Sequence, residues 1–226
     1  MFFPGKIKNI KQTDHVLEIG PGGAPHPRSD VLLEKRFNDL DEAEGQRGFA
    51  PPLKDKYKGK AVYYDGGRFP FQNKEFDYVI CSHVLEHVEE VDFFTSEITR
   101  VGNKGYLEYP TIYYDYIYNF QEHKTLLFQN GNVLYWMPKK ESGLYSFMPV
   151  HILFYESLKS GYVEFIEILK PWMFQGFEWT DEIIIKKATS IDDLTYTHTE
   201  IKLPPNDTYR MIKRIISSLR QIHFRK

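Results

Sequence analysis

The sequence predicts an α/β protein with a Rossmann-like, mostly parallel sheet. Short apolar runs alternate with turns and helical patterns through the first half of the chain, in the order expected of a parallel sheet covered by helices. The first such run, His15–Ile19, leads directly into the turn Gly20-Pro21-Gly22-Gly23. An antiparallel C-terminal strand pair, an aromatic-rich cap insertion and a C-terminal amphipathic helix complete the predicted architecture.

Four further strands are predicted in the first half of the chain. Each is a short run of branched or apolar residues that ends near turn residues: Val31–Leu33, Ala61–Tyr64, Phe76–Cys81 and Gly105–Tyr109. The run Phe76–Cys81 is mostly apolar, as is typical of a strand buried on both faces. Residues Glu89–Val101 carry apolar side chains at helical spacing before Gly102, so this segment predicts a helix.

The sequence after Pro110 becomes rich in aromatic residues and loses its period. We expect residues 112–160 to form a cap over the carboxyl ends of the strands, with hairpins at Asn130-Gly131-Asn132 and Ser142-Gly143. The cap is the expected source of substrate specificity. Its aromatic residues are Tyr113, Tyr114, Tyr116, Tyr118, Phe120, Tyr135 and Trp136.

Two strands and a basic helix are predicted for the rest of the chain. Within residues 161–203, Phe165–Lys170 and Glu182–Lys187 are interpreted as an antiparallel pair with Trp172–Trp179 between them. After Pro204-Pro205, residues 207–226 predict an amphipathic helix with a basic face and no acidic residue from Tyr209 onward. Such a helix can dock on its own domain or a second subunit, contact a membrane surface, or meet nucleic acid.

The composition indicates one globular domain over residues 1–226, with a ligand-binding core at 14–111. The net charge of −2 gives no global signal for nucleic acid. No apolar run approaches the roughly 20 residues of a membrane-spanning helix, and the N-terminus does not resemble a signal peptide. Cys81 is the single cysteine, which excludes an internal disulfide. We therefore expect a cytoplasmic protein.

The glycine turn indicates a ligand site. Glycines after a buried strand let the backbone approach a ligand closely, although a turn needed only for chain reversal would look the same. Proteins that bind NAD, FAD or S-adenosylmethionine share this signal. A pyrophosphate normally faces the N-terminus of the next helix. Here Pro25 and Pro27 leave little room for that helix, so the sequence favours a ligand without pyrophosphate.

An ordered set of motifs resembles the class I S-adenosylmethionine-dependent methyltransferases, the methyltransferase type 11 group in particular. The motifs are Val16-Leu17-Glu18-Ile19-Gly20-Pro21-Gly22-Gly23, then Tyr64-Asp65 with Phe69-Pro70-Phe71, then Phe76-Asp77-Tyr78-Val79-Ile80-Cys81-Ser82-His83-Val84-Leu85-Glu86-His87-Val88. The resemblance covers about residues 14 to 111. It implies S-adenosylmethionine as the cofactor.

The resemblance also implies a role for each matching residue. Glu18 supports the turn, Gly20 and Gly22 lie under the methionine part of the cofactor, and Pro21 and Gly23 also belong to the cofactor-binding turn. Glu34 takes the ribose hydroxyls, Asp65 meets the adenine amine with Gly66 beside it, and Ser82 and His83 face the sulfonium and the substrate.

Two positions depart from the family pattern, and two of the implied roles have alternatives. Ala24 replaces the third glycine, and Glu34 follows Gly20 by only 14 positions, so the first helix must be short or absent. Glu34 could instead be an ordinary charge at a strand end. Asp65 could serve only as a turn residue before Gly66.

The catalytic candidates are His83, directly after the fourth strand, and His123 in the cap. Methyl transfer depends mainly on alignment of the reactants, with a general base only where the acceptor must lose a proton. Glu86 and His87 are interpreted as capping or packing residues. Glu86, His87 and His123 are a conceivable set of metal ligands, but no set of residues has the spacing of a known metal motif, so no metal is expected.

The predicted function is S-adenosylmethionine-dependent methyl transfer, O-methylation by preference, to a small-molecule or glycan acceptor. One alternative is a non-catalytic binding or assembly module that keeps the fold and uses the cap and the basic helix as contact surfaces. A nucleotide-dependent oxidoreductase is disfavoured by the prolines after the glycine turn.

Overall fold

The computed structural model describes residues 1–37 and 53–197. The chain divides into two compact units, Met1–Thr195 and Tyr196–Lys226. Every element below belongs to the first unit. The predicted basic helix at 207–226, and with it the membrane and self-association interpretations of residues 209–226, lies outside the described residues. Within the described residues, no helix is long and apolar enough to cross a membrane.

A six-stranded sheet forms the centre of the first unit. Its order is β3-β2-β1-β4-β5-β8, and every pair is parallel except β5 with β8. The predicted mostly parallel sheet with an antiparallel pair is thus confirmed. The strands are β1 (Val16–Ile19), β2 (Val31–Lys35), β3 (Ala61–Tyr64), β4 (Phe76–Ser82), β5 (Gly102–Pro110) and β8 (Phe174–Thr180).

The order of the strands indicates where in the sheet a ligand is expected to bind. Strand β1 lies between β2 and β4: the chain runs from β1 through β2 to β3 on one side, and then crosses to β4 on the other side. In open α/β sheets, ligands bind outside the carboxyl ends of the strands at such a switch point. The carboxyl end of β1 leads into the glycine turn, and the neighbouring end of β4 leads into His83.

Helix α1 (Val91–Val101) packs on this sheet as the apolar spacing predicts. Val91, Phe94, Ile98 and Val101 are buried against the strands. Full burial of such a side chain contributes about 1.5 to 3 kcal/mol each. Glu97 on the same helix accepts the Phe69 backbone N–H (2.7 Å) and two N–H groups of Arg100 (2.6 and 2.7 Å). The helix thereby holds the segment that follows β3.

The C-terminal strand prediction was wrong in its positions. Phe165–Lys170 belongs to helix α4 (Glu164–Met173), because Ile166 and Met173, seven residues apart, share its buried face. The antiparallel strand is β8 (Phe174–Thr180), which lies within the segment predicted to connect two strands. Strand β8 pairs with β5, and β9 (Ile185–Lys187) instead pairs in parallel with β7 (Val133–Pro138) in a second sheet.

The segment between β5 and α4 contains two short helices and a hairpin. The hairpin joins β6 (Thr125–Asn130) to β7 (Val133–Pro138) through Gly131 and Asn132, as predicted. The second predicted hairpin, at Ser142-Gly143, was wrong. Short 3-10 turns occupy 139–147 instead, before helix α3 (Met148–Lys159). Helix α2 (Ile112–Tyr118) follows β5 directly.

Candidate active site

A cavity of about 660 Å³ lies at the carboxyl ends of β1, β2 and β4. This volume falls in the range of small-molecule and cofactor sites. The glycine turn lines one part of it. Four residues of the 112–160 segment also line it: Tyr114, Phe120, Glu122 and His123. The fold therefore brings the predicted cofactor turn and part of the predicted cap to one cavity.

The glycine turn has the backbone that only glycine adopts easily. Gly20 has φ +62° and Gly22 has φ +54°, in the left-handed region. A Cβ atom on Gly20 would collide with Cγ2 of Val84, the residue after His83. Gly20 also donates its N–H to the Leu33 carbonyl oxygen at 2.9 Å, which fixes the turn to β2. Pro21 and Gly23 line the cavity beside them.

Glu18 holds the loop that follows the turn. Its Oε2 accepts the His26 backbone N–H at 2.7 Å and the Ser29 hydroxyl at 2.6 Å. Burial raises the pKa of the Glu18 carboxyl, against the lowering effect of these hydrogen bonds. The chain passes from β1 to β2 through turns and without a helix, as the two prolines and the short link to Glu34 predict. Glu18 thus holds the segment after the turn, and its predicted support of the turn itself stays a prediction.

Glu34 and Asp65 differ in their environments. Glu34 is buried near the end of β2 and lines the cavity, which is compatible with its predicted ribose contact. The Asp65 side chain is 81% exposed, with Oδ1 3.5 Å from Nε of Arg36. Asp65 and Gly66 do not line the cavity within the described residues, whereas the neighbouring Tyr64 does. Their contact with adenine stays a prediction.

His83 lies between two carboxylates at the end of β4. Its Nε2 is 3.0 Å from Glu108 Oε1 and its Nδ1 is 3.4 Å from Glu86 Oε1. Burial alone would lower the pKa of His83, but the two carboxylates outweigh it and raise the pKa. With both ring nitrogens facing acceptors, the imidazole is held as a cation and has no free lone pair. This geometry suits a positioning residue better than a general base.

The backbone at His83 is also constrained. Its φ is +57°, in the left-handed region that residues other than glycine rarely occupy. Glu108, on β5, holds this strained residue and also accepts the Ser82 hydroxyl at 3.1 Å and the Tyr106 hydroxyl at 2.7 Å. Burial would raise the pKa of Glu108, yet these bonds, that of His83 above all, lower it to about 2. Ser82 and His83 both line the cavity, and their contact with the sulfonium and the substrate stays a prediction.

The N-terminal segment packs on His83. The backbone N–H groups of Phe2 and Phe3 both donate to the Glu108 carboxylate. The Phe2 ring lies 5.0 Å from the His83 ring and 4.3 Å from that of Phe174. Neither this contact nor the role of Glu108 was predicted from the sequence. An acidic residue inside the apolar strand Gly105–Tyr109 was the available signal.

His123 forms a buried pair with Asp115 of α2. Its Nδ1 donates to both carboxylate oxygens, at 2.9 and 3.0 Å. Burial would lower the pKa of His123, but the Asp115 carboxylate outweighs it and raises the pKa. Nζ of Lys139 lies 3.3 Å from Asp115 Oδ1, so the lysine and the His123 ring share this carboxylate. The contact with Asp115 keeps the proton on Nδ1 and leaves Nε2 available to another partner. Sequence spacing did not predict Asp115 as the partner.

His87 and Glu86 lie beside His123 at the same end of the cavity. The His87 Nδ1–H donates to the Glu122 carbonyl oxygen at 3.2 Å, and the His87 ring lies 5.0 Å from the His123 ring. Burial lowers the pKa of His87, so its ring is neutral near pH 7. Glu86 is 1% exposed. Its pKa is lowered to about 2 because the His83 hydrogen bond and the nearby imidazoles outweigh burial.

The charges around the cavity fit a cationic ligand. Among the described lining residues, Glu18, Glu34, Glu86 and Glu122 supply carboxylates, whereas Lys35, the N-terminal amino group of Met1 and the protonated His83 supply positive charge. A pyrophosphate would meet this acidic surface without a helix N-terminus to bind it. S-adenosylmethionine carries a sulfonium and an amino group, so it fits the acidic lining.

Comparison with known proteins agrees with this geometry. Residues 17–107 match the sequence family described as a methyltransferase domain. No curated protein matches the chain.

Several solved structures are similar to part of the chain. A protein from Bacillus halodurans C-125 with a provisional methyltransferase description is 21% identical, with a TM-score of 0.38, over 53% of this chain and 58% of that one. A protein from Pyrococcus horikoshii OT3 is 18% identical, with a TM-score of 0.37, over 55% and 66%. An S-adenosylmethionine-dependent methyltransferase from Mesorhizobium loti is 12% identical, with a TM-score of 0.38, over 73% and 89%. The chain thus spans less than two thirds of the first two proteins.

The family match covers β1 through most of β5, and so includes the glycine turn and the Ser82–His87 segment. The parallel sheet reverses its order at β1, where that turn begins. Residues 17–107 are therefore similar in sequence to a methyltransferase domain, and this similarity implies S-adenosylmethionine as the cofactor.

Proposed function

We propose that the protein transfers a methyl group from S-adenosylmethionine to a hydroxyl oxygen of a small-molecule or glycan acceptor. The observation that carries the proposal is the single cavity that joins the glycine turn to the cluster of Glu86, His87 and His123. The turn supports the donor end. The cluster supplies polar groups able to bind and deprotonate a hydroxyl at the other end.

The donor end is built by backbone and carboxylate groups. The turn at Gly20 and Gly22 offers a surface without side chains, and Glu34 lies across the cavity at the end of β2. A carboxylate there can accept hydrogen bonds from two vicinal hydroxyls, as in dinucleotide folds. His83 stays protonated between Glu86 and Glu108, and so keeps both carboxylates in place. We assign His83 a positioning role.

His123 is the proposed proton acceptor. Asp115 orients its ring through Nδ1, so that Nε2 is the nitrogen left to take the acceptor proton. Proton removal of this kind contributes about 10²- to 10⁴-fold in rate. When bound, S-adenosylmethionine supplies a methyl carbon: the bond from that carbon to the acceptor oxygen forms as the C–S bond breaks, and S-adenosylhomocysteine leaves.

The acceptor end also has an aromatic wall. Tyr114 and Phe120 line the cavity and stack on each other, with ring centres 5.2 Å apart. Such rings can pack on the apolar face of a sugar or of another small ring. Of the other five aromatic residues proposed for specificity, none lines the cavity within the described residues. Trp136 and Tyr118 are instead buried in the hydrophobic core.

Two measurements test the proposal. Isothermal titration with S-adenosylhomocysteine should show one site per chain, and absence of binding at millimolar ligand would overturn the cofactor assignment. Release of S-adenosylhomocysteine should then be followed with a panel of hydroxylated sugars and small alcohols, beside matched amines. Transfer to amines but not to hydroxyl compounds would refute O-methylation.

A pair of histidine variants tests the chemistry. His123→Gln should lower kcat by about 10²-fold or more while S-adenosylhomocysteine affinity stays near that of the wild type. His15→Gln changes an exposed histidine at the opposite end of β1 and serves as the control. Equal kcat values for the two variants would remove His123 from the mechanism.

A further inference from the structure

Three potential metal ligands converge at the acceptor end of the cavity. Glu86, His87 and His123 each offer one atom, and the three atoms lie within 4.8 Å of one another. Glu86 and His87 come from the 3-10 turn after β4, whereas His123 comes from the loop before β6. Ligands that share one ion at about 2.0 to 2.2 Å lie roughly 3 to 4 Å apart. Small side-chain rotations therefore suffice to bring these atoms around one ion.

Both histidines have the hydrogen bonds of metal ligands. A ligating histidine usually donates its second ring N–H to a carboxylate or a backbone carbonyl, which fixes the ring and its tautomer. The Nδ1 of His123 donates to Asp115, and the Nδ1 of His87 donates to the Glu122 carbonyl oxygen. Each contact keeps the ring proton on Nδ1, so the lone pair of Nε2 is left to bind an ion. Two separate chain segments thus prepare the same nitrogen for an ion.

Glu86 supplies an independent observation. Its side chain is 2% exposed, and its Oε2 has no hydrogen-bond partner among the residues that the structure describes. A buried carboxylate oxygen left without a partner costs about 1 to 3 kcal/mol or more. Glu86 lines the cavity that His87 and His123 also line. A cation at this position would satisfy that oxygen.

We propose that Glu86, His87 and His123 bind a divalent first-row transition-metal ion. Two imidazoles and one carboxylate form a ligand set that suits ions such as Zn²⁺, Fe²⁺ or Co²⁺ and leaves coordination positions open. Hard cations such as Mg²⁺ and Ca²⁺ prefer all-oxygen sites. The two imidazole nitrogens therefore favour a transition-metal ion over Mg²⁺ or Ca²⁺ at this site.

The open positions give the ion a role in the reaction. This part of the inference rests on the proposed function. A hydroxyl bound to a divalent ion loses its proton more readily, so the acceptor oxygen would bind the ion and release its proton to water. The oxygen then forms the new bond to the methyl carbon as the C–S bond breaks. The ion thereby takes over the proton-removal role assigned to His123, which becomes a ligand.

Metal binding is measured on the full chain, freed of tags and treated with EDTA. Titration with Co²⁺ should give a visible absorption band and one ion per chain, and Zn²⁺ should abolish the band by competition. Glu86→Gln, His87→Gln and His123→Gln should each weaken Co²⁺ binding by about 100-fold or more. Asp115→Asn leaves all three ligands and should weaken it by about 10- to 100-fold. His15→Gln should bind as the wild type does.

The outcomes separate this inference from the proposed function. His87 is only partly buried, so His87→Gln can be tested even if the two buried positions prove sensitive. Unchanged Co²⁺ affinity in His87→Gln and Asp115→Asn, or no specific band in the wild type, overturns the metal site. Methyl transfer that persists in EDTA overturns the ion's role in the reaction. S-adenosylhomocysteine binding in EDTA tests the cofactor site independently of the ion.

Discussion

Substitution of Gly20 by alanine should destabilise the protein for two separable reasons. The φ of +62° would cost an alanine about 1 to 2 kcal/mol. The new Cβ would also lie closer to Val84 Cγ2 than real Cβ atoms come to their neighbours. Relief of that contact requires Val84 to move, which adds about 1 to 3 kcal/mol. We therefore expect Gly20→Ala to lower the free energy of unfolding by about 2 to 5 kcal/mol.

Two further variants separate the two costs. Gly161 also has a positive φ, at +91°, but no atom of residues 1–37 or 53–197 lies within 4 Å of the position that a Cβ atom would take there. Gly161→Ala should therefore cost only the backbone part, about 1 to 2 kcal/mol. The double variant Gly20→Ala/Val84→Ala removes the colliding methyl group. It should be less destabilised than the sum of its single variants, by about 1 to 3 kcal/mol.

Urea denaturation followed by tryptophan fluorescence gives these free energies, and titration with S-adenosylhomocysteine gives the affinity of each variant. Gly20→Ala should also weaken that affinity, because the turn can no longer keep its position against Val84. The reasoning is refuted if Gly20→Ala and Gly161→Ala cost the same and Val84→Ala gives no relief.

Two other predictions concern stability and cofactor binding. Glu97→Gln should lower the free energy of unfolding by about 1 to 2 kcal/mol near pH 7. The Arg100 hydrogen bond holds the pKa of Glu97 below the ordinary 4.5, so the difference from wild type should be full above pH 4.5 and should shrink as the pH falls below it. An equal difference at about pH 3 would contradict this reasoning. Glu34→Gln should weaken S-adenosylhomocysteine binding about 10-fold, and by more than Asp65→Asn does, because Glu34 lines the cavity and Asp65 is exposed. If titration shows the larger loss of affinity for Asp65→Asn, the result favours the adenine role of Asp65.

Local patterns were enough to predict the centre of the fold. The strand before the glycine turn, the helix over Val91–Val101 and the hairpin at Gly131 all follow from short-range spacing and turn chemistry. The absence of a helix between β1 and β2 followed from Pro25 and Pro27. These features depend on neighbours in the sequence, so the sequence carries them directly.

The strand prediction at Phe165–Lys170 failed because the segment Phe-Ile-Glu-Ile-Leu-Lys fits a strand and a helix about equally well. The helix is selected by tertiary packing, because Tyr118 and its neighbours cover the buried face of α4. Strand β8 likewise depends on β5, which supplies its hydrogen bonds from a distant part of the chain. Pairing over such separations leaves little trace in a local pattern.

The sequence by itself determined the donor half of the site: a strand, a glycine turn and a cofactor without pyrophosphate. Only the tertiary structure decided the acceptor half. Glu86 and His87 are separated from His123 by more than thirty positions, and Asp115 lies on another element. Their meeting depends on how the segment after β5 folds back over the end of β4. No spacing rule encodes that approach, because it results from packing between elements rather than from the order of residues within one.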